Sequence, residues 1–184
     1  MKQANGAGSI GYDAVRKKFR AMFTTPAGRR ISKRFSTKKA AQEWIASNIA
    51  KRAAGSYVEP SSITVGSWLL TYLHDYKALT IAPKTMDLYA LLALKCEPLA
   101  DIRLQAVTAP LVQSFYTELL KNNSVAMVRK VHAFLRAACT KAQYLGMLAA
   151  NPMAVVDPPK ATVRGKIETF TPDEIAKVIT AAKQ

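Results

Sequence analysis

Hydrophobic positions change their period along this chain. Between residues 18 and 25 they alternate, with Phe19, Ala21 and Phe23 on one side and Arg20, Met22 and Thr24 on the other. Arg30 to Ser36 alternates likewise, Ile31 and Phe35 flanking Lys33. Pro26-Ala27-Gly28 between them supplies turn chemistry, so the two segments read as a β-hairpin. Ser9 to Ala14 reads as a third, edge strand. From about Thr37 to Ala54 the period becomes helical, with Ala41, Trp44, Ile45 and Ile49 on one face. That face can cover the Phe19/Phe23/Phe35 side of the sheet. Arg20 and Arg34 are then left facing solvent on the other side.

Beyond residue 62 the pattern is helical throughout. Thr64 can cap a helix reaching about Leu79, with Val65, Trp68, Leu69, Tyr72, Leu73 and Tyr76 in one arc. Pro83 opens the next, which holds Met86, Tyr89, Leu92 and Leu94; a first-turn proline sacrifices no helical hydrogen bond. Thr108-Ala109-Pro110 opens a third, with Leu111, Val112, Phe115, Leu119 and Leu120 expected in the core and Asn122-Asn123 ending it. Ser124 opens a fourth that runs to Gly146. On it Met127, Val131, Phe134, Leu135, Ala138, Ala142 and Leu145 share about a third of the circle. Arg129, Lys130, Arg136 and Lys141 occupy the opposite half, and His132, Thr140 and Gln143 lie between.

Two stretches interrupt these patterns. Gly55-Ser56 to Pro60-Ser61-Ser62 reads as a helix end followed by a linker. Asn151-Pro152 to Asp157-Pro158-Pro159 cannot continue a helix, since proline lacks the amide donor and restricts its predecessor. After the second break, Thr171-Pro172-Asp173-Glu174 forms a capping box with proline at the first helical position. It opens an amphipathic helix through Ile175, Val178 and Ile179, read as the start of a further domain that the chain does not continue.

Charge sharpens the picture. The 184 residues carry 27 Lys+Arg against 12 Asp+Glu, a net of +15. Residues 1–59 hold 13 of the cations and 3 of the acids, so the first third carries a net of +10. An excess this large and this localised calls for an anionic partner. The acid-free cationic face of the 124–146 helix points the same way, because a merely solvated helix mixes signs to gain i,i+4 pairs. A sheet face rich in arginine can enter the major groove of DNA, which admits a β-ribbon. Charge of this kind specifies a polyanion rather than a sequence. No apolar run is long enough to span a membrane, and Met1-Lys2-Gln3-Ala4 opens no signal peptide, so a cytoplasmic, nucleoid-associated location without membrane partners is expected.

Catalytic chemistry is sparse. His74 and His132 are the only histidines, and neither has a serine or cysteine at a spacing that would form a triad. Gly6-Ala7-Gly8-Ser9-Ile10-Gly11 has glycine spacing without the preceding strand a phosphate loop requires. Cys96 and Cys139 read as buried thiols rather than ligands. The catalytic, metal and cofactor sets are therefore all expected to be empty.

The order of these pieces resembles the N-terminal part of a tyrosine recombinase of the phage-integrase type. Gly28-Arg29-Arg30 through Phe35-Ser36-Thr37-Lys38-Lys39 to Trp44 is similar to the arm-binding domain. Thr64-Val65-Gly66-Ser67-Trp68-Leu69, Pro83-Lys84-Thr85 and Tyr89 resemble the opening of the core-binding domain, and Pro98-Leu99-Ala100-Asp101-Ile102-Arg103-Leu104 resembles its connector. Ala142-Gln143-Tyr144, Asn151-Pro152 and Phe170-Thr171-Pro172-Asp173-Glu174-Ile175 look like its end and the start of the catalytic domain.

The resemblance implies an α+β architecture. A three-stranded antiparallel sheet plus helix occupies residues 1–56, a linker 57–63 and an all-α, four-helix, SAM-like core-binding domain 64–160. Residues 161–184 form a second linker and the first helix of a truncated catalytic domain. Site-specific recombination that integrates or excises a mobile element is the activity implied for the parent. For this chain the implication is binding to double-stranded DNA, at arm-type and core-type sites, with self-association on DNA. The DNA-binding candidates are Arg20, Arg30, Lys33, Arg34, Lys84, Thr85, Arg129, Lys130, Arg136 and Lys141. Alternatives are a stand-alone transcriptional regulator and a generic nucleic-acid-binding helical module.

Overall fold

The structure is a computed structural model that describes residues 8–160 and 170–182. Strands β1 (Ser9–Asp13), β2 (Lys18–Thr24) and β3 (Arg30–Phe35) form an antiparallel sheet in sequence order. The β2–β3 turn closes through Thr25, whose amide donates to the Arg29 carbonyl at 2.8 Å, while the Gly28 amide returns to the Thr25 carbonyl at 2.9 Å. Gly28 sits at φ +80°, where a Cβ would be strained. Helix α1 (Lys38–Ala53) is capped by Thr37, whose hydroxyl accepts from the Ala40 amide.

Helix α1 lies across one face of the sheet, as the two periodicities require. Ala21, Phe23, Ala41 and Ile45 are buried there, with Phe19, Phe35, Trp44 and Ile49 packed around them. Phe23 meets the edge of Trp44 at 6.5 Å and the linker ring of Tyr57 at 5.4 Å. Among the described residues, no layer covers the opposite face of the sheet.

The helical region builds a larger core from α2 (Val65–Thr71), α3 (Pro83–Lys95), α4 (Ala109–Asn122) and α5 (Val125–Tyr144). Helix α2 does not end as an α-helix: it runs directly into a π-helical turn over Tyr72–Lys77. Its start is pinned by a short antiparallel bridge between Thr64 and Arg103 and by the Gly66 amide donating to the Ala100 carbonyl at 3.0 Å. A Cβ on Gly66 would sit 2.9 Å from that of Ala100, so the two backbones meet only because residue 66 is glycine. Met153 and Val156, on and just after the 3-10 turn Pro152–Val155, close the core from the far side.

Several expectations about burial are refined. Leu94, Leu120 and Leu145 are 68%, 37% and 44% exposed, whereas Tyr116 and Val128, outside the expected stripes, are buried; Cys139 is buried as expected. On α5 the expected Val131, Phe134, Leu135, Ala138 and Ala142 are buried, and the core stripe widens toward Val128 and His132 rather than toward Leu145; on α4 it takes in Tyr116 rather than Leu120. Helix α6 (Pro172–Ala181) carries the capping box, with Thr171 and Glu174 bonded reciprocally, and leaves Ile175, Val178 and Ile179 exposed. Residues 161–169, the start of the last expected piece, lie outside the described residues. Among the described residues, no helix is long and apolar enough to cross a membrane.

Candidate nucleic-acid interface

The uncovered sheet face is cationic because strand alternation places it so. Arg20 and Arg34 are direct cross-strand partners in the β2–β3 register, and Arg30 lies opposite Thr24 on the same face. Like charges directly opposed on a sheet are destabilising, and nothing in the local fold requires these two. The single carboxylate on the face among the described residues is Asp13 at the end of β1, whose Oδ2 receives Arg34 Nε at a long 3.4 Å. Asp13 is held below the usual carboxylate range first by the Arg16 amide, which donates to Oδ1 at 3.1 Å, and then by Arg34. No carboxylate pairs with Arg20 among the described residues. Lys33 departs from the set: it sits opposite Ala21, on the helix side of the sheet, with its ammonium 5.6 Å from the Phe35 ring centroid.

A second cationic surface lies on the helical region. Arg129, Lys130 and Arg136 are exposed along α5, with Ala133 and Ala137 between them, and Lys141 is half-buried one turn further on. Arg129 donates to the Pro159 carbonyl at 2.9 Å, which fixes that end of the stripe against the segment following the core. At the other end α5 faces the π-helical turn across a groove of about 680 Å³. Tyr76, Lys77, Thr80, Arg136, Thr140 and Lys141 are among its lining residues. Lys77 and the two tyrosines of the turn, Tyr72 and Tyr76, are absent from the candidates chosen by sequence, because an α-helical wheel does not bring Lys77 to this side. Lys84 and Thr85 open α3, Lys84 exposed and Thr85 half-buried, and neither lines that groove.

Beneath the stripe, His132 is buried on the core side of α5, with Nδ1 3.1 Å from the Tyr116 hydroxyl. Burial, then Arg136 and Arg129, push the imidazole below its ordinary value, which favours the neutral ring hydrogen-bonded to the Tyr116 hydroxyl. Cys96 and Cys139 are buried and their thiols are pushed up to about 12 by desolvation, which leaves them protonated and inert. His74, paired with Asp75 at 2.8 Å, is fully on the surface. No cluster of metal-ligating side chains occurs among the described residues.

No protein-family model matches the chain, and no curated protein matches it in sequence. Solved structures do. A lambda integrase dimer bound to a COC' core site aligns over 100% of this chain at a TM-score of 0.56 and 18% identity. A lambda integrase tetramer bound to a Holliday junction aligns over 99%, with the same score and identity. The chain shares their fold. It spans about half the length of those lambda integrase chains, 53% in each case. A phage integrase SAM-like domain from Moorella thermoacetica, 28% identical, covers 61% of the chain at a TM-score of 0.47.

Proposed function

We propose that the chain binds double-stranded DNA through two separate cationic surfaces, as the DNA-binding part of a site-specific recombinase that moves a mobile element. The observation that carries this reading is the Arg20–Arg34 pair, two like charges directly opposed on a sheet face that no layer covers. Phosphates supply the counter-charge that Arg20 lacks among the described residues and that Arg34 finds in Asp13 at a long 3.4 Å. The shared fold with lambda integrase structures that hold a core site and a Holliday junction supports the same reading, as does the acid-free stripe on α5.

The sheet presents the better geometry for reading bases. Arginine can donate two parallel bonds to guanine in the major groove, and Arg20, Arg30 and Arg34 stand on one β-ribbon. The stripe on α5 suits phosphate contacts, which position a protein on duplex DNA without reading it. On this reading the sheet takes arm-type sites and the helical region core-type sites. Copies of the chain associate on DNA, and the protein works in the cytoplasm at the nucleoid.

Two substitutions test the division. Arg34→Ala weakens binding to one class of duplex by about 1–3 kcal/mol and leaves others nearly unchanged. Arg136→Ala weakens binding to all duplexes and lowers the slope of log affinity against log salt by about one unit. Quantitative binding titrations over a salt series check both, and unchanged affinity in both variants overturns the reading.

A further inference from the structure

The π-helical turn and α5 hold two lysines against aromatic rings on the same groove. Lys141 Nζ lies 4.5 Å from the Tyr76 ring centroid and Lys77 Nζ 5.4 Å from that of Tyr72. The second contact depends on the turn type. A π-helix closes from residue i to i+5, so Lys77 returns beneath Tyr72, whereas in an α-helix the i+4 neighbour Tyr76 takes that place. The widening is recorded in the Ala78 amide, which donates to the Leu73 carbonyl at 2.9 Å, five residues back.

The rings themselves are braced. Trp68, 2% exposed, lies 6.1 Å from both Tyr72 and Tyr76, and its indole N–H donates to the Ala138 carbonyl of α5 at 3.1 Å. A chain of fixed contacts therefore runs from the α5 backbone through Trp68 and Tyr76 to the Lys141 ammonium. Neither lysine has a carboxylate within ion-pair distance among the described residues, although a protein seeking only solubility gains by pairing them. An ammonium held over a ring loses less rotamer freedom when it meets an anion than a free lysine does.

We infer that Tyr76, and with it Tyr72, are positioning residues that pre-orient Lys141 and Lys77 as a two-pronged clasp for consecutive phosphates of the DNA backbone in this groove. The inference rests on the proposed DNA-binding function and adds the residues that give the helical surface its geometry. Tyr76 acts through Lys141, so the two substitutions are expected not to add.

The test measures affinity of the full chain for a short mixed-sequence duplex over a salt series, for wild type, Tyr76→Phe, Tyr76→Leu, Lys141→Met and the Tyr76→Leu/Lys141→Met double variant. Tyr76→Phe keeps the ring and binds within about twofold of wild type, while Tyr76→Leu binds about three- to fivefold more weakly. Lys141→Met lowers the salt slope by about 0.9. The double variant is no weaker than Lys141→Met alone. The clasp is overturned if Tyr76→Leu binds as wild type, if Tyr76→Phe is as weak as Tyr76→Leu, or if the losses add. Should Tyr76→Leu lower the thermal midpoint, the Lys141→Met slope decides, and an unchanged slope overturns the clasp. A wild-type chain that binds no duplex at all removes the functional reading itself, whereas loss in Arg34→Ala without loss in Lys141→Met removes only the clasp.

Discussion

The sheet region and the helical region solve the problem of a stable fold in opposite ways. The helical region buries 22 residues in one continuous cluster, so its surface charges sit on a scaffold that does not depend on them. The sheet region buries few side chains beneath α1 and finishes its core with a borrowed ring: Tyr57 from the linker packs on Phe23. The Tyr57 hydroxyl and Glu59 Oε1 are both buried without a partner there, a cost that a larger core would not accept. Glu59 Oε2 reaches Arg29 at 3.4 Å, and the Glu59 carbonyl accepts from Gln105 Nε2 of the helical region at 2.8 Å. The linker is thus a structural part of both regions rather than a tether. A small module that carries opposed arginines on one face needs that outside support.

The largest effect is expected where the helical core is deepest. Trp68→Ala removes a 2% exposed indole and its bond to Ala138, and costs about 3–5 kcal/mol. Trp44 fluorescence, which reports only the sheet region, follows whether the sheet survives that loss. Tyr57→Ala makes the reverse cut and costs about 1–3 kcal/mol in the sheet region, with Trp68 fluorescence keeping its wild-type midpoint. A Trp44 midpoint that falls in Trp68→Ala as far as the helical circular-dichroism midpoint does would show that the two regions unfold as one unit.

A smaller effect is pH-dependent and belongs to the helical region alone. The folded His132 imidazole titrates below its ordinary value of 6.5, so the unfolded chain binds a proton that the folded chain resists. Stability from this site is complete above 6.5 and is lost as pH falls from there through the folded value. His132→Asn flattens that window in a thermal-midpoint profile against pH. Asp13 and Glu174 act in a separate window. Their lowered values give stability above 3.8 and 4.5 respectively, lost as pH falls through the folded values. A wild-type profile with no slope below 6.5 contradicts the buried, neutral imidazole.

Much of this fold is legible in the sequence because period and caps agree. The hairpin, its arginine face, the cover by Ala41, Trp44, Ile45 and Ile49, and the helix starts at Thr64, Ser124 and Thr171 all follow from spacing and side-chain chemistry. The site is only partly legible. Lys33 shares its side of β3 with Ile31 and Phe35, so the alternation itself puts it on the covered side, and its charge rather than its position marks it as a candidate. Lys77 escapes notice because the wheel assumes 3.6 residues per turn, and the π-turn breaks that assumption. Tyr116 and His132 are hidden for a different reason: each looks polar in sequence, and only the fold shows that they satisfy one another.

One comparison reaches the central claim directly. Affinity of the chain for duplex DNA, single-stranded RNA and heparin is measured at matched salt. Two cationic surfaces shaped for a double helix predict that the duplex binds tightest, with log affinity falling linearly and steeply as log salt rises. Equal affinity for all three polyanions, or tighter binding of RNA, would contradict it.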